Sequence, residues 1–211
     1  MKRTGAWFAG VAAMGLLLTG CGAADTAPAE SAPTAEAQPT PTQEAAAEPA
    51  GTRQNPVPFG EAYTFEDIGE AGGPAWKVTI DQPRDMSAEI LAAAVEKYGD
   101  DESYLAPSRP EAGTTFVGYT GTLERLLDTP MAPGYDLELA VVGSDGNTYN
   151  AIAFGVGGPE ENIVNIAEMY APATARFSDV QVVPEGVTAG QVLVTMRNTG
   201  ERIYFGTPPA S

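Results

Sequence analysis

The chemistry open to this chain is bounded by the reactive side chains it has and lacks. Its 211 residues hold one cysteine, Cys21, no histidine, and 28 acidic residues against 11 basic ones, for a formal charge of −17. Without histidine there is no Ser-His-Asp or Cys-His catalytic group and no His-ligated metal. One thiol forms no internal disulfide and no thiolate cluster. A Ser-Lys pair needs a lysine in the folded part, where only Lys77 and Lys97 stand, neither in an S-x-x-K motif. Scattered methionines make no copper-type cluster.

Carboxylates remain. "GDDES" gathers Asp100, Asp101 and Glu102, "SDGN" carries Asp145, and "GPEEN" carries Glu160 and Glu161. None has the ligand spacing of a calcium loop, so two solvated loops and a turn are expected, with no metal and no cofactor. Glycoside hydrolysis would need two acids ~5 to 10 Å apart across a sugar cleft. Such clefts want several exposed aromatics, whereas the folded part has one tryptophan, Trp76, in a strand pattern that reads as core. No catalytic residue and no enzyme are expected. The acidic balance argues against nucleic acid, which is held by clustered Lys and Arg.

The lone thiol sits in "LLLTGCGAAD" (16–25), directly after an apolar run. Lys2 and Arg3 precede Ala6 to Leu18, 13 apolar residues. That is short of the ~20 needed to span a bilayer but suits the apolar region of a signal peptide. Leu18-Thr19-Gly20-Cys21 resembles the lipobox of bacterial lipoproteins. The resemblance implies cleavage between Gly20 and Cys21 and a diacylglycerol on the Cys21 sulfur. Small side chains admit the peptidase and the thiol supplies the nucleophile.

From Gly22 to about Thr52 the chain has no aromatic, Leu, Ile, Val, Met, Lys or Arg, only Ala, Pro, Thr, Ser, Glu and similar residues. Such a segment cannot bury enough apolar surface to offset its ordering entropy. It is expected to be a disordered tether of ~30 Å as a coil and at most ~100 Å extended. The organisation is therefore signal peptide 1–20, lipidated cysteine and linker 21–52, and one domain from 53 to 211. A domain of that length buries ~70% of its unfolded surface and needs no disulfide.

Within the domain, short β-like runs alternate with turn signals, which predicts an all-β sandwich. "AWKVTID" puts Trp76, Val78 and Ile80 on one face and Lys77, Thr79 and Asp81 on the other. "TTFVGYTGTL" reads as a strand whose glycines mark bulges. "YDLELAVV" alternates Tyr135, Leu137, Leu139 and Val141 against Asp136, Glu138 and Ala140. Asp145-Gly146 is the strongest hairpin signal, predicting a two-residue tip. "TARFSDVQVV", ended by Pro184, "GQVLVTMRN" and "RIYFG" close the sandwich. "SAEILAAAVEKYG" has helical spacing instead, with Ser87 as N-cap and Gly99 as stop.

The order "GTRQNPVPFGEAYTF", "AWKVTI", "EAGTTFVGYTGTLE", "SDGNTYN", "AEMYAPATARFSDVQVVPEG" resembles a group of bacterial surface lipoproteins, frequent in high-GC Gram-positive organisms. It covers about residues 51–206, with Gly51, Arg53, Asn55 and Pro56 opening the domain. The resemblance implies an immunoglobulin-like antiparallel β-sandwich with one short helix in a connection, and carries no activity. The expected protein is a lipid-anchored, monomeric surface module that binds a protein or wall component and touches the membrane through Cys21. The other readings are a carboxylate-dependent wall hydrolase and a passive envelope spacer. Radiolabelled lipid incorporated into the parent chain should be absent from Cys21→Ala; label retained by the variant would refute the anchor.

Overall fold

The computed structural model describes residues 49–68, 72–150 and 158–209. The signal peptide, the lipobox residues Leu18, Thr19, Gly20 and Cys21, and the tether up to residue 48 lie outside the described residues. So does the "AIAF" part of the segment after Asn150. Chain contacts separate a unit Ala45–Ser211 from Met1–Glu44, and every described residue belongs to the former.

Nine strands form two antiparallel sheets among the described residues: β1 Ala62–Asp67, β2 Gly73–Ile80, β3 Arg84–Asp85, β4 Thr114–Arg125, β5 Leu137–Gly143, β6 Thr148–Tyr149, β7 Thr174–Pro184, β8 Ala189–Met196 and β9 Arg202–Gly206. One sheet joins β1 to β2, both β2 and β3 to β4, and β4 to β7; the other runs β6-β5-β8-β9. The two pack over a core in which Phe65, Trp76, Tyr119, Phe177 and Phe205 are fully buried. This is the antiparallel sandwich that the alternating runs predict. Trp76, Val78 and Ile80 face the core, as their spacing indicates.

Gly51 and Thr52, read above as the end of the tether, already belong to the fold. Tyr204 N–H donates to the Gly51 carbonyl at 2.9 Å, and Val57 pairs in parallel with Phe205. The Gln191 amide donates to the Arg53 and Thr207 carbonyls, both at 2.8 Å. Residues 51–57 thus cover the open edge of β9, which would otherwise offer unpaired backbone groups.

The longest ladder is β4 against β7, unbroken from Thr114↔Pro184 to Glu124↔Thr174. Gly118 and Gly121 therefore mark no bulge, contrary to the sequence expectation. They make room. A Cβ on Gly121 would meet the Phe177 ring at 2.5 Å and collide with the Thr79 carbonyl; one on Gly118 would collide with Met86.

"YDLELAVV" also departs from its predicted alternation. The strand starts at Leu137, and Tyr135 and Asp136 belong to a short helix, α3 Pro133–Asp136, with proline in its first turn. The turn reverses their burial. Tyr135 is 79% exposed, while Asp136 points inward and accepts the Trp76 indole N–H at 2.7 Å. The Arg125 guanidinium lies 4.7 Å from the centroid of the same ring. A buried indole N–H must find an acceptor, and Asp136 is it.

The helix expected in 87–99 is α1 Ser87–Tyr98, stopped by Gly99 at φ 64°. Its N-cap is Met86 rather than Ser87, and the Asp85 carboxylate accepts the Ser87 N–H at 2.8 Å. The Ser87 hydroxyl instead accepts the Phe116 N–H, pinning the helix start to β4. Ile90 and Ala94 pack inward, whereas Val95 and Tyr98 stay exposed. The helix is not alone: α2 Glu102–Leu105 and α3 accompany it among the described residues.

Gly121→Ala should lose about 1 to 3 kcal/mol by overpacking against Phe177. At ~2 to 4 °C per kcal/mol for a domain of this size, a thermal melt should show a drop of several degrees. An unchanged Tm would mean that the close approach of β2, β4 and β7 is wrong.

Candidate functional site

The acidic loops singled out in the sequence are spent on local structure. Asp101 caps α2, accepting from the Ser103 N–H at 3.0 Å and its hydroxyl at 2.7 Å, and Glu102 pairs with Arg109. The Asp101 carboxyl is held below its usual range by those two bonds. Asp145 and Gly146 do form a hairpin tip, but with three residues, Ser144 to Gly146, rather than two. Gly143 N–H donates to the Asn147 carbonyl, and Gly146 N–H donates back to Gly143. Gly146, at φ 83°, takes the left-handed position that closes such a loop. Asp145 accepts from the Tyr149 hydroxyl at 2.5 Å and from Asn147, which lowers its pKa.

"GPEEN" docks on the outer edge of β7. Glu160 accepts from Arg176 at 2.9 Å, and its carbonyl takes the Ser178 hydroxyl. Ser178 N–H donates to the Glu161 carbonyl. The segment ends at Asn162, which caps a 3-10 turn at Ile163–Asn165 and reaches inward to Asp179.

Asp179 is the residue the sequence reading passed over. Phe177, Asp179, Gln181 and Val183 follow at period two along β7, so all four side chains enter the sandwich. Asp179 is only 4% exposed, between the sheets, and its hydrogen-bond partners among the described residues are all neutral. Four donors hold it. Tyr119, its register partner on β4, donates its hydroxyl to Oδ2 at 3.0 Å, and the Gln181 amide donates there at 2.6 Å. Oδ1 accepts from the Asn162 amide at 3.2 Å and from Val180 N–H at 3.1 Å. The other atom of the Gln181 amide, Oε1, is buried with no partner among the described residues.

Burial disfavours the charged form and pushes the Asp179 pKa up, against the pull of its hydrogen bonds. Burial, with the Asp179 charge beside it, likewise raises Tyr119 well above the ordinary phenol value.

Asp179 borders a cavity of about 210 Å³ between β5 and β7. Its apolar walls are Leu137, Leu139, Ile163 and Val164. Its polar lining adds Asn150, Glu138 and Arg197, the last two forming a long ion pair at 3.8 Å. Beside it stand exposed apolar side chains. Gly134 of α3 lies so close to Val164 that a Cβ would sit 2.8 Å from its Cα, bringing Tyr135 and Val164 to one end of the sandwich. Met131 pairs with Met169, the residue before Tyr170. Tyr135, Val164 and Tyr170 are all more than half exposed.

Two acidic residues, Asp179 and Glu138, thus line one cavity. Chemically the pair is poorly placed for hydrolysis. Both Asp179 oxygens are already engaged by donors, and Glu138 faces Arg197. The arrangement suits recognition: a buried carboxyl, fixed by four donors, at the side of a small apolar hollow.

No protein-family model matches the chain, and no curated protein matches it significantly. Among solved structures it overlaps the secreted protein MPT63 of Mycobacterium tuberculosis at 14% identity and TM-score 0.46, over 72% of this chain and 97% of that one. An uncharacterised β-sandwich protein of Clostridium difficile overlaps at 13% identity and TM-score 0.35, over 75% and 99%. A functionally unknown protein of Listeria monocytogenes does so at 12% and 0.36, over 73% and 90%. Overlaps of this size define neither a ligand nor an activity; the sandwich is established by the strand pairing of the chain itself.

Because the folded pKa of Asp179 is raised above its ordinary 3.8, its contribution to stability is fully present below that value and is lost as pH rises through the folded pKa. Relative to Asp179→Asn, the parent should gain stability as pH falls from neutral towards 4. Matching pH profiles in urea unfolding would show that Asp179 titrates normally.

Proposed function

We propose that this chain is a lipid-anchored surface lipoprotein whose β-sandwich is a non-catalytic binding module. The anchor is the lipid on Cys21, the tether is the Ala/Pro/Thr segment, and the module works at the extracytoplasmic face of the cell membrane. Its bacterial surface-lipoprotein character is drawn from the lipobox-like Leu18–Cys21 and the motif order that follows. No helix among the described residues is long and apolar enough to cross a membrane.

One observation carries the binding reading. Val164 lines a cavity with a buried carboxylate and is more than half exposed, and Tyr135, next to the lining residue Gly134, stands almost bare. Exposed apolar side chains grouped around a hollow are the mark of a recognition surface.

The test is capture from solubilised envelope with the unit Ala45–Ser211 immobilised. The parent should retain a protein or wall component that Tyr135→Ser/Tyr170→Ser does not, and free module should compete it away. Equal retention by both forms, or none by either, would favour the spacer reading. Release of soluble fragments from purified wall would favour the hydrolase.

A further inference from the structure

We propose that the cavity beside Asp179 receives the basic side chain, lysine or arginine, of a partner peptide. The inference rests on the binding-module reading and names the chemistry of its ligand.

A carboxylate removed from water is costly to bury without a counter-ion, by several kcal/mol even after relaxation. Asp179 meets that cost with neutral donors alone: a phenol, two amides and a backbone N–H. Neutral donors satisfy its lone pairs but leave its charge uncompensated. The nearby charges do not cancel it, since Glu138 and Arg197 are already matched to each other. When ionised, Asp179 gives the cavity one uncompensated negative charge, inside a chain whose formal charge is −17.

A positive group entering the cavity would meet a field already fixed in place, in surroundings where charge interactions are far stronger than in water.

Size and surroundings select the occupant. About 210 Å³ is below the ~300 to 1,000 Å³ of pockets that enclose a whole small molecule. It holds a side chain. Leu137, Leu139 and Ile163 form a wall suited to the methylene stem of lysine or arginine, whose charged head then reaches the polar end. The exposed Tyr135 and Val164 beside the cavity offer surface to the residues flanking that side chain, which a free amine would leave uncovered.

Full-length chain in detergent micelles should be titrated with Ac-Gly-Lys-Gly-amide, with the same peptide carrying norleucine for lysine, and with n-butylamine. The lysine peptide should bind saturably, at least tenfold tighter than either comparison. Asp179→Asn should lose at least tenfold of that affinity. Val164→Trp, a change at a half-exposed position lining the cavity, should abolish it. Equal binding of the lysine and norleucine peptides, affinity unchanged in both variants, butylamine binding as tightly as the peptide, or no saturable binding would each overturn the proposal. Capture of the same envelope component by parent and Val164→Trp alike would overturn the pocket assignment while leaving the binding module intact.

Discussion

A single carboxylate buried between two sheets constrains much of this fold. Asp179 is tolerable there only while Tyr119, Gln181 and Asn162 all donate to it. Tyr119 stands opposite it because the β4–β7 register is what it is. A slip of one residue would turn Asp179 out and drive Val180 in. Gln181 follows from the period of two along β7. Asn162 has to be brought from outside, and the Gly158–Asn162 loop is fastened to β7 by Glu160, Ser178 and the Glu161 carbonyl to deliver it. Loop, register and strand thus serve one charge.

The same economy appears at the other buried polar site. Trp76 fills the core but needs an acceptor, and α3 exists in the form it does because Asp136 must point inward to supply one. That turn leaves Tyr135 facing out. The recognition surface is in this sense a consequence of core chemistry: satisfying an indole N–H places an exposed tyrosine next to the cavity that Asp179 borders.

The strands were legible because burial on one face imposes an alternation that survives in "AWKVTID", and because glycine and proline punctuate the runs. The helix was legible from its spacing, and Gly99 as its stop. What misled was side-chain chemistry acting across the fold. Tyr135 and Asp136 continue the alternation of β5 in sequence, yet a proline-started turn inverts them. Ser87 looks like a cap but spends its hydroxyl on Phe116, leaving the capping to Asp85. Gly118 and Gly121 read as bulges when they are clearances for Met86 and Phe177. The candidate site was the least visible part. The visible acids cluster in loops, where they cap and pair, while the one that matters is a lone Asp in "FSDVQVV". Its signal was there, since polar residues at inward positions of a core strand break the pattern, but it points to a site only once Tyr119 and Asn162 are seen to converge on it.

A cation entering the cavity beside Asp179 should favour the ionised form of a carboxyl that only neutral donors now hold. The side-chain carboxyl carbon of Asp179, followed by NMR as a function of pH, tests this directly. Its pKa should lie above the ordinary 3.8 in the free protein and fall when the lysine peptide is bound, because a neighbouring positive charge favours the ionised form. A pKa at or below 3.8, unmoved by the peptide, would contradict the account.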